Sequence, residues 1–170
     1  MYRYGHYGAA LAGYSPLGAV ALAFGFETAA VGGTAVAVGL AMVPDWDQKV
    51  PGLAHRGPTH SVAFAGVVAA VLAVVSTAIA WASPKLGPLV ALGAGLYVGA
   101  VGGVTILSHI AADALTPMGV KPFGDDGEQY SFDVCRADST VGNYGLLALG
   151  GVTAVVAYVF GSAVNTVLGM

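Results

Sequence analysis

Only 9% of the 170 residues are charged, against roughly a quarter in soluble proteins, while apolar residues supply 56%. So few charges cannot clothe a soluble domain of this length, and a net charge of −3 without a basic patch indicates no nucleic-acid partner. The length fits one domain, residues 1–170, and the single cysteine, Cys135, forms no internal disulfide.

A bilayer core takes about 20 apolar residues of helix. Met1 to His6 leads into apolar sequence and could imitate a signal peptide, but further apolar segments follow, so it is expected to remain as part of a first helix. That helix is expected at about 9–26, with a kink at Pro16. A second follows at 29–43, close enough to form a tight hairpin with the first. The third, 62–82, has no charge, and Ser83-Pro84-Lys85 turns the chain into the fourth, 86–115. A polar segment, 116–143, rich in Gly, Pro and acidic residues including Asp125, is too acidic to span and should lie at the surface or cover a site. The fifth helix is expected at 145–168. The fold class is therefore all-α: a polytopic helical membrane protein of about five transmembrane or membrane-embedded helices, with a polar loop before the last. Gly95, Gly99 and Gly103 repeat at four-residue spacing, which permits close approach of another helix, either within the chain or from a second copy.

Threading five crossings turns scattered residues into a constellation. His6, Asp45, Asp47, His55, Arg56, His60, His109, Asp113 and the acidic loop all fall on one side, and Glu27 alone among the carboxylates falls on the other. Arg3, Lys49, Arg56, Lys121 and Arg136 share the crowded side, with Lys85 opposite. By the positive-inside rule that side is the cytoplasm.

His109 and Asp113, four apart on one helix, project from the same face, a spacing suited to chelating a metal. Such a pair often bonds only to itself. Its partner cluster is Pro44-Asp45-Trp46-Asp47 followed by His55-Arg56-Gly57-Pro58-Thr59-His60-Ser61, in which Asp45 and Asp47 could reach one centre from an extended segment. Thr59 or Ser61 could cap the third helix. His6 joins as a further candidate ligand. Arg56 suits an anionic substrate, because a guanidinium can grip two phosphate oxygens.

These residues, together with Gly5-His6 and Ser108-His109-Ile110-Ala111-Ala112-Asp113-Ala114-Leu115-Thr116-Pro117-Met118-Gly119, resemble the YdjM-like membrane-bound metal-dependent hydrolase family, over nearly the whole chain and in order. That family is grouped with the zinc-dependent phospholipase C and nuclease superfamily. The resemblance implies a helical fold with a metal held by Asp45, His60, His109 and Asp113, and a second held by His6 with Asp113. Gln48 stands where the family often has His, and no His follows His109, so one or two divalent ions, zinc foremost, are expected rather than three.

The resulting expectation is metal-assisted hydrolysis of a phosphoester at the cytoplasmic face of the cell membrane, on an anionic or phospholipid substrate. Asp47 or His55 would move the proton, Arg56 would stabilise phosphoryl charge, and Asp113 would bridge two ions. The rivals are a metal- or proton-coupled transporter or sensor, and a structural membrane protein with a metal-stapled cap. The inner stretches of helices three to five, nearly all Ala, Val, Gly and Leu, speak against a transport path.

Overall fold

The computed structural model describes residues 1–124 and 126–169; Asp125 lies outside them. Five α-helices account for the architecture: α1 (Arg3–Ala23), α2 (Glu27–Leu40), α3 (Val62–Trp81), α4 (Pro88–Ala114) and α5 (Thr140–Leu168). Two 3-10 turns, Pro44–Lys49 and Pro58–His60, connect α2 to α3. Among the described residues there is no β-strand; one antiparallel bridge, Val120 with Tyr130, closes the loop before α5.

Four segments are long and apolar enough to cross a membrane: Glu27–Lys49, Val62–Trp81, Pro88–Ala114 and Thr140–Leu168. The 20 residues of α3 reach about 30 Å, the thickness of a bilayer core. α2 is too short alone, and the first 3-10 turn completes that segment. α1 is less apolar because it buries His6, Tyr14 and Ser15, but at 21 residues it is long enough, and it is the hub of the bundle. It packs along α5 and against α4 and α2, whereas α3 packs on α4 at the flank.

Several expected boundaries move. α1 starts at Arg3 rather than near residue 9, and runs through Pro16 as one helix. α5 starts at Thr140 rather than 145, because the Ser139 hydroxyl accepts a bond from Gly142 N and caps it. Asn143, expected in the loop, is a buried helical residue. Its amide oxygen accepts from Tyr2 N at 2.9 Å, and its amide nitrogen donates to the Ala137 and Ser139 carbonyls.

Without a hydrophobic driving force between helices in lipid, small residues set how closely they approach. The Gly95, Gly99 and Gly103 face of α4 is occupied by α3: a Cβ on Gly99 would lie 2.7 Å from the Ala69 carbonyl oxygen. α1 and α5 meet the same way. A Cβ on Gly150 would lie 2.8 Å from Gly8 Cα and closer still to its carbonyl oxygen. At the other end of the bundle the Tyr14 hydroxyl, 2.7 Å from that of Tyr97, donates to the Ala30 carbonyl and draws α1, α2 and α4 together.

Gly150→Ala is therefore expected to cost about 1–3 kcal/mol through overpacking, the range for an extra methyl with nowhere to go. Gly151→Ala, where a Cβ meets nothing within 4 Å, should be neutral. Thermal unfolding in detergent compares the two, and equal melting temperatures would contradict the described α1–α5 contact.

Candidate metal centre

The candidate ligands arrive on four pieces of backbone. α1 carries His6, and the first 3-10 turn, opened by Pro44, carries Asp45 and Asp47. The second turn carries His60, and the last turns of α4 carry His109 and Asp113. Ser61 rather than Thr59 caps α3, accepting from Phe64 N at 3.1 Å, which fixes His60 just ahead of that helix. His6, His60, His109 and Asp113 are buried, and Asp45 is nearly so.

Four atoms converge: His60 Nε2, His109 Nε2, Asp45 Oδ1 and Asp113 Oδ2. Each imidazole nitrogen lies close to the other and to both carboxylate oxygens. The distances are 3.2 Å between the imidazoles, 3.5 and 3.4 Å from His60 to Asp45 and Asp113, and 3.5 and 3.7 Å from His109 to the same two. Zinc bonds of about 2.0–2.1 Å in a tetrahedron put neighbouring ligands about 3.3–3.4 Å apart, close to the spacing of each imidazole from the other and from the two carboxylates. The other carboxylate oxygens face His6, whose Nε2 lies 3.7 Å from Asp45 Oδ2 and 3.6 Å from Asp113 Oδ1. Asp45 and Asp113 therefore each turn one oxygen to either side, and both are placed to bridge two ions. His6 stacks on His109 at 3.7 Å between ring centres. Its Nε2 also lies 2.9 Å from the Met1 carbonyl, a bond it would give up as a ligand, and the Met1 amino group rests on Asp113 Oδ1.

Hydrogen bonds identify which nitrogens are free to bind. His109 Nδ1 donates to the Ala41 carbonyl at 2.7 Å, leaving Nε2 with its lone pair. The Thr59 hydroxyl gives its proton to Asp47 Oδ2, so it accepts from His60 Nδ1 at 3.1 Å, and His60 Nε2 is likewise bare when the ring is neutral. Two bare lone pairs 3.2 Å apart repel unless something positive lies between them. Asp113 Oδ2, buried and without a hydrogen-bond partner, points at the same place. The donor set thus fits a divalent cation. Without one, burial depresses the His60 pKa, but the neighbouring Asp113 and Asp45 carboxylates outweigh that and hold the imidazole above its ordinary range.

Asp47 does not reach this centre. In a 3-10 turn, residues two apart do not share a face as they would in the extended segment expected above. Asp47 is turned behind His60 instead, where it accepts from Thr59, from Arg56 N at 3.1 Å and from His55 Nδ1 at 3.0 Å. It orients the loop. His55, 37% exposed, keeps Nε2 uncommitted, and His55, Asp45 and His60 form a second group with ligand atoms within 4.8 Å of one another. His6, Asp45, His109 and Asp113 form the other such group.

Arg56 is more committed than its chemistry suggested. Its guanidinium donates to Asp113 Oδ1 at 2.9 Å, to Thr116 Oγ1 at 3.0 Å and to the Gly119 carbonyl at 2.8 Å, leaving only Nε unpaired. Its backbone is left-handed, φ 61°, a strained state for a residue with a Cβ, and the bond to Asp47 helps to hold it there. Thr116 and the Ala41 carbonyl were not foreseen from sequence. A main-chain carbonyl leaves no residue-type signal.

The model of one protein family, described as YdjM inner membrane protein, matches residues 5–168. The chain belongs to that family. All the residues of the centre lie inside the matched segment, so the YdjM match and the convergence of side chains concern the same region. No curated protein and no solved structure matches the chain.

Purified protein should contain one or two divalent ions per chain by elemental analysis, and His109→Ala should lose them while keeping its helical content. Loading should fall as pH drops, since a ligand imidazole must be neutral. Because the His60 pKa is raised, its proton competes up to a higher pH than an ordinary histidine's would. Retention of full metal content by His109→Ala, or loading unchanged between neutral and mildly acidic pH, would contradict the assignment.

Proposed function

We propose that this YdjM-family membrane protein is a metal-dependent hydrolase acting on a phosphoester at the cytoplasmic membrane surface. The observation that carries the reading is the convergence of His60, His109, Asp45 and Asp113 on one place, backed by oriented imidazoles. Zinc suits a shell of two nitrogens and two carboxylate oxygens. His6, with the outward oxygens of Asp45 and Asp113, would hold a second ion. Bound divalent ions supply acidity to a coordinated water and charge stabilisation to phosphoryl oxygens.

The chain's own groups divide the remaining work. His55, exposed and oriented through Nδ1 by Asp47, is the group that moves a proton at Nε2. Asp47 is a positioning residue, since its oxygens are taken by His55, Thr59 and Arg56. Arg56 orients Asp113 and draws the Gly119 loop over the centre, with Nε as its remaining donor. The five cationic residues on the site side favour a cytoplasmic orientation. A site at the end of spanning helices favours a substrate that itself sits in the membrane, a phospholipid or related amphiphile.

The test is release of phosphorylated headgroup or phosphate from phospholipid vesicles carrying the protein. It should be abolished by chelator and restored by zinc. His55→Ala should lower turnover about 100- to 10,000-fold, the usual share of general acid–base catalysis, with metal content unchanged. Tight metal binding without hydrolysis of any phosphoester would favour the stapled cap instead, and metal flux across vesicles would favour a transporter.

A further inference from the structure

The segment joining α4 to α5 is acidic enough to pass for a water-facing loop, yet it presents an unusual surface. Met118 is 64% exposed, Phe123 71%, Phe132 68% and Val134 68%, within a stretch that also carries Asp126, Glu128 and Asp133. Soluble surfaces rarely gather large apolar side chains this way. On either side of Asp125 the segment is also tied to the ends of spanning helices. Val62 N, at the start of α3, donates to the Pro122 carbonyl at 2.8 Å. Phe132 N donates to the Ala114 carbonyl, the last residue of α4, and Val134 N to Leu115, each at 2.8 Å. Val120 and Tyr130 exchange both backbone bonds between these anchors. The loop backbone is thus one hydrogen bond away from the ends of two spanning helices. Trp46, Val50 and Leu53, in the connection from α2 to α3, are exposed as well.

We infer that this loop is a membrane-resident surface, with Met118, Phe123, Phe132 and Val134 immersed in the headgroup–acyl boundary of the bilayer that the chain itself spans. Mixed apolar and charged composition suits that boundary, where rings meet hydrocarbon and carboxylates meet water. The occupant is lipid because the loop backbone is hydrogen-bonded directly to the ends of α3 and α4, whose apolar side chains, among them Val62, Val67, Leu96 and Leu107, are exposed along the spans. The inference stands apart from the metal reading and requires no activity.

Depth-dependent fluorescence quenching tests it. Trp46→Phe and Trp81→Phe remove both native indoles. Phe132→Trp and, separately, Phe123→Trp then report the loop, while Val155→Trp, in the middle of α5, reports the bilayer core. In proteoliposomes the two loop probes should be quenched most by lipids brominated near the headgroup and hardly by aqueous iodide. The Val155 probe should be quenched most by deep bromines. Strong iodide quenching at both loop positions would overturn the inference. Shielding from bromine and iodide alike would overturn it too, because a protein partner would then be the cover.

Discussion

Three carboxylates, Asp45, Asp47 and Asp113, and three imidazoles, His6, His60 and His109, are packed out of water at the end of a membrane bundle. One guanidinium, Arg56, and the Met1 amino group answer them. Charge in such a place is costly unless it is paired and hydrogen-bonded. Asp47 meets that condition through His55, Thr59 and Arg56, whereas Asp113 Oδ2 does not, and the lone pairs of His60 and His109 face each other beside it. A divalent cation there would resolve both problems together.

The centre also explains why a chain of loosely amphipathic helices adopts one arrangement. Its ligands come from α1, both 3-10 turns and α4, so an ion would tie these elements together beyond the packing and the Tyr14–Tyr97 contact that already join them. Binding free energy at such a site is also folding free energy. The left-handed Arg56, its bonds to Thr116 and Gly119, and the loop bonds to Ala114 and Leu115 extend the same network outward to the membrane surface. α3 and α5, which carry no ligand, expose most of their length to lipid, while the centre itself sits at one end of the bundle.

Much of this was legible in the residues. Charge-free apolar runs marked α3 and the spans around it, and alternation of helix direction put the four histidines on one side. The four-residue spacing of His109 and Asp113 located the helical half of the centre. What sequence could not show lay in conformation and tertiary contact. Asp47 carries the same side chain as Asp45, and only the 3-10 turn makes one face the centre and the other the loop behind it. Arg56 looked free for substrate because nothing local revealed Thr116 and Gly119, some sixty residues on. The early start of α1 and of α5 was masked by Gly5, Gly8 and Asn143, which look like loop residues until the packing between those two helices is seen.

The central claim concerns where an ion sits, so anomalous diffraction at the metal's absorption edge from metal-loaded crystals tests it most directly. The account predicts a peak about 2.0–2.2 Å from His60 Nε2, His109 Nε2 and one oxygen each of Asp45 and Asp113. A peak elsewhere on the chain, or these four side chains found apart with no peak between them, would contradict it.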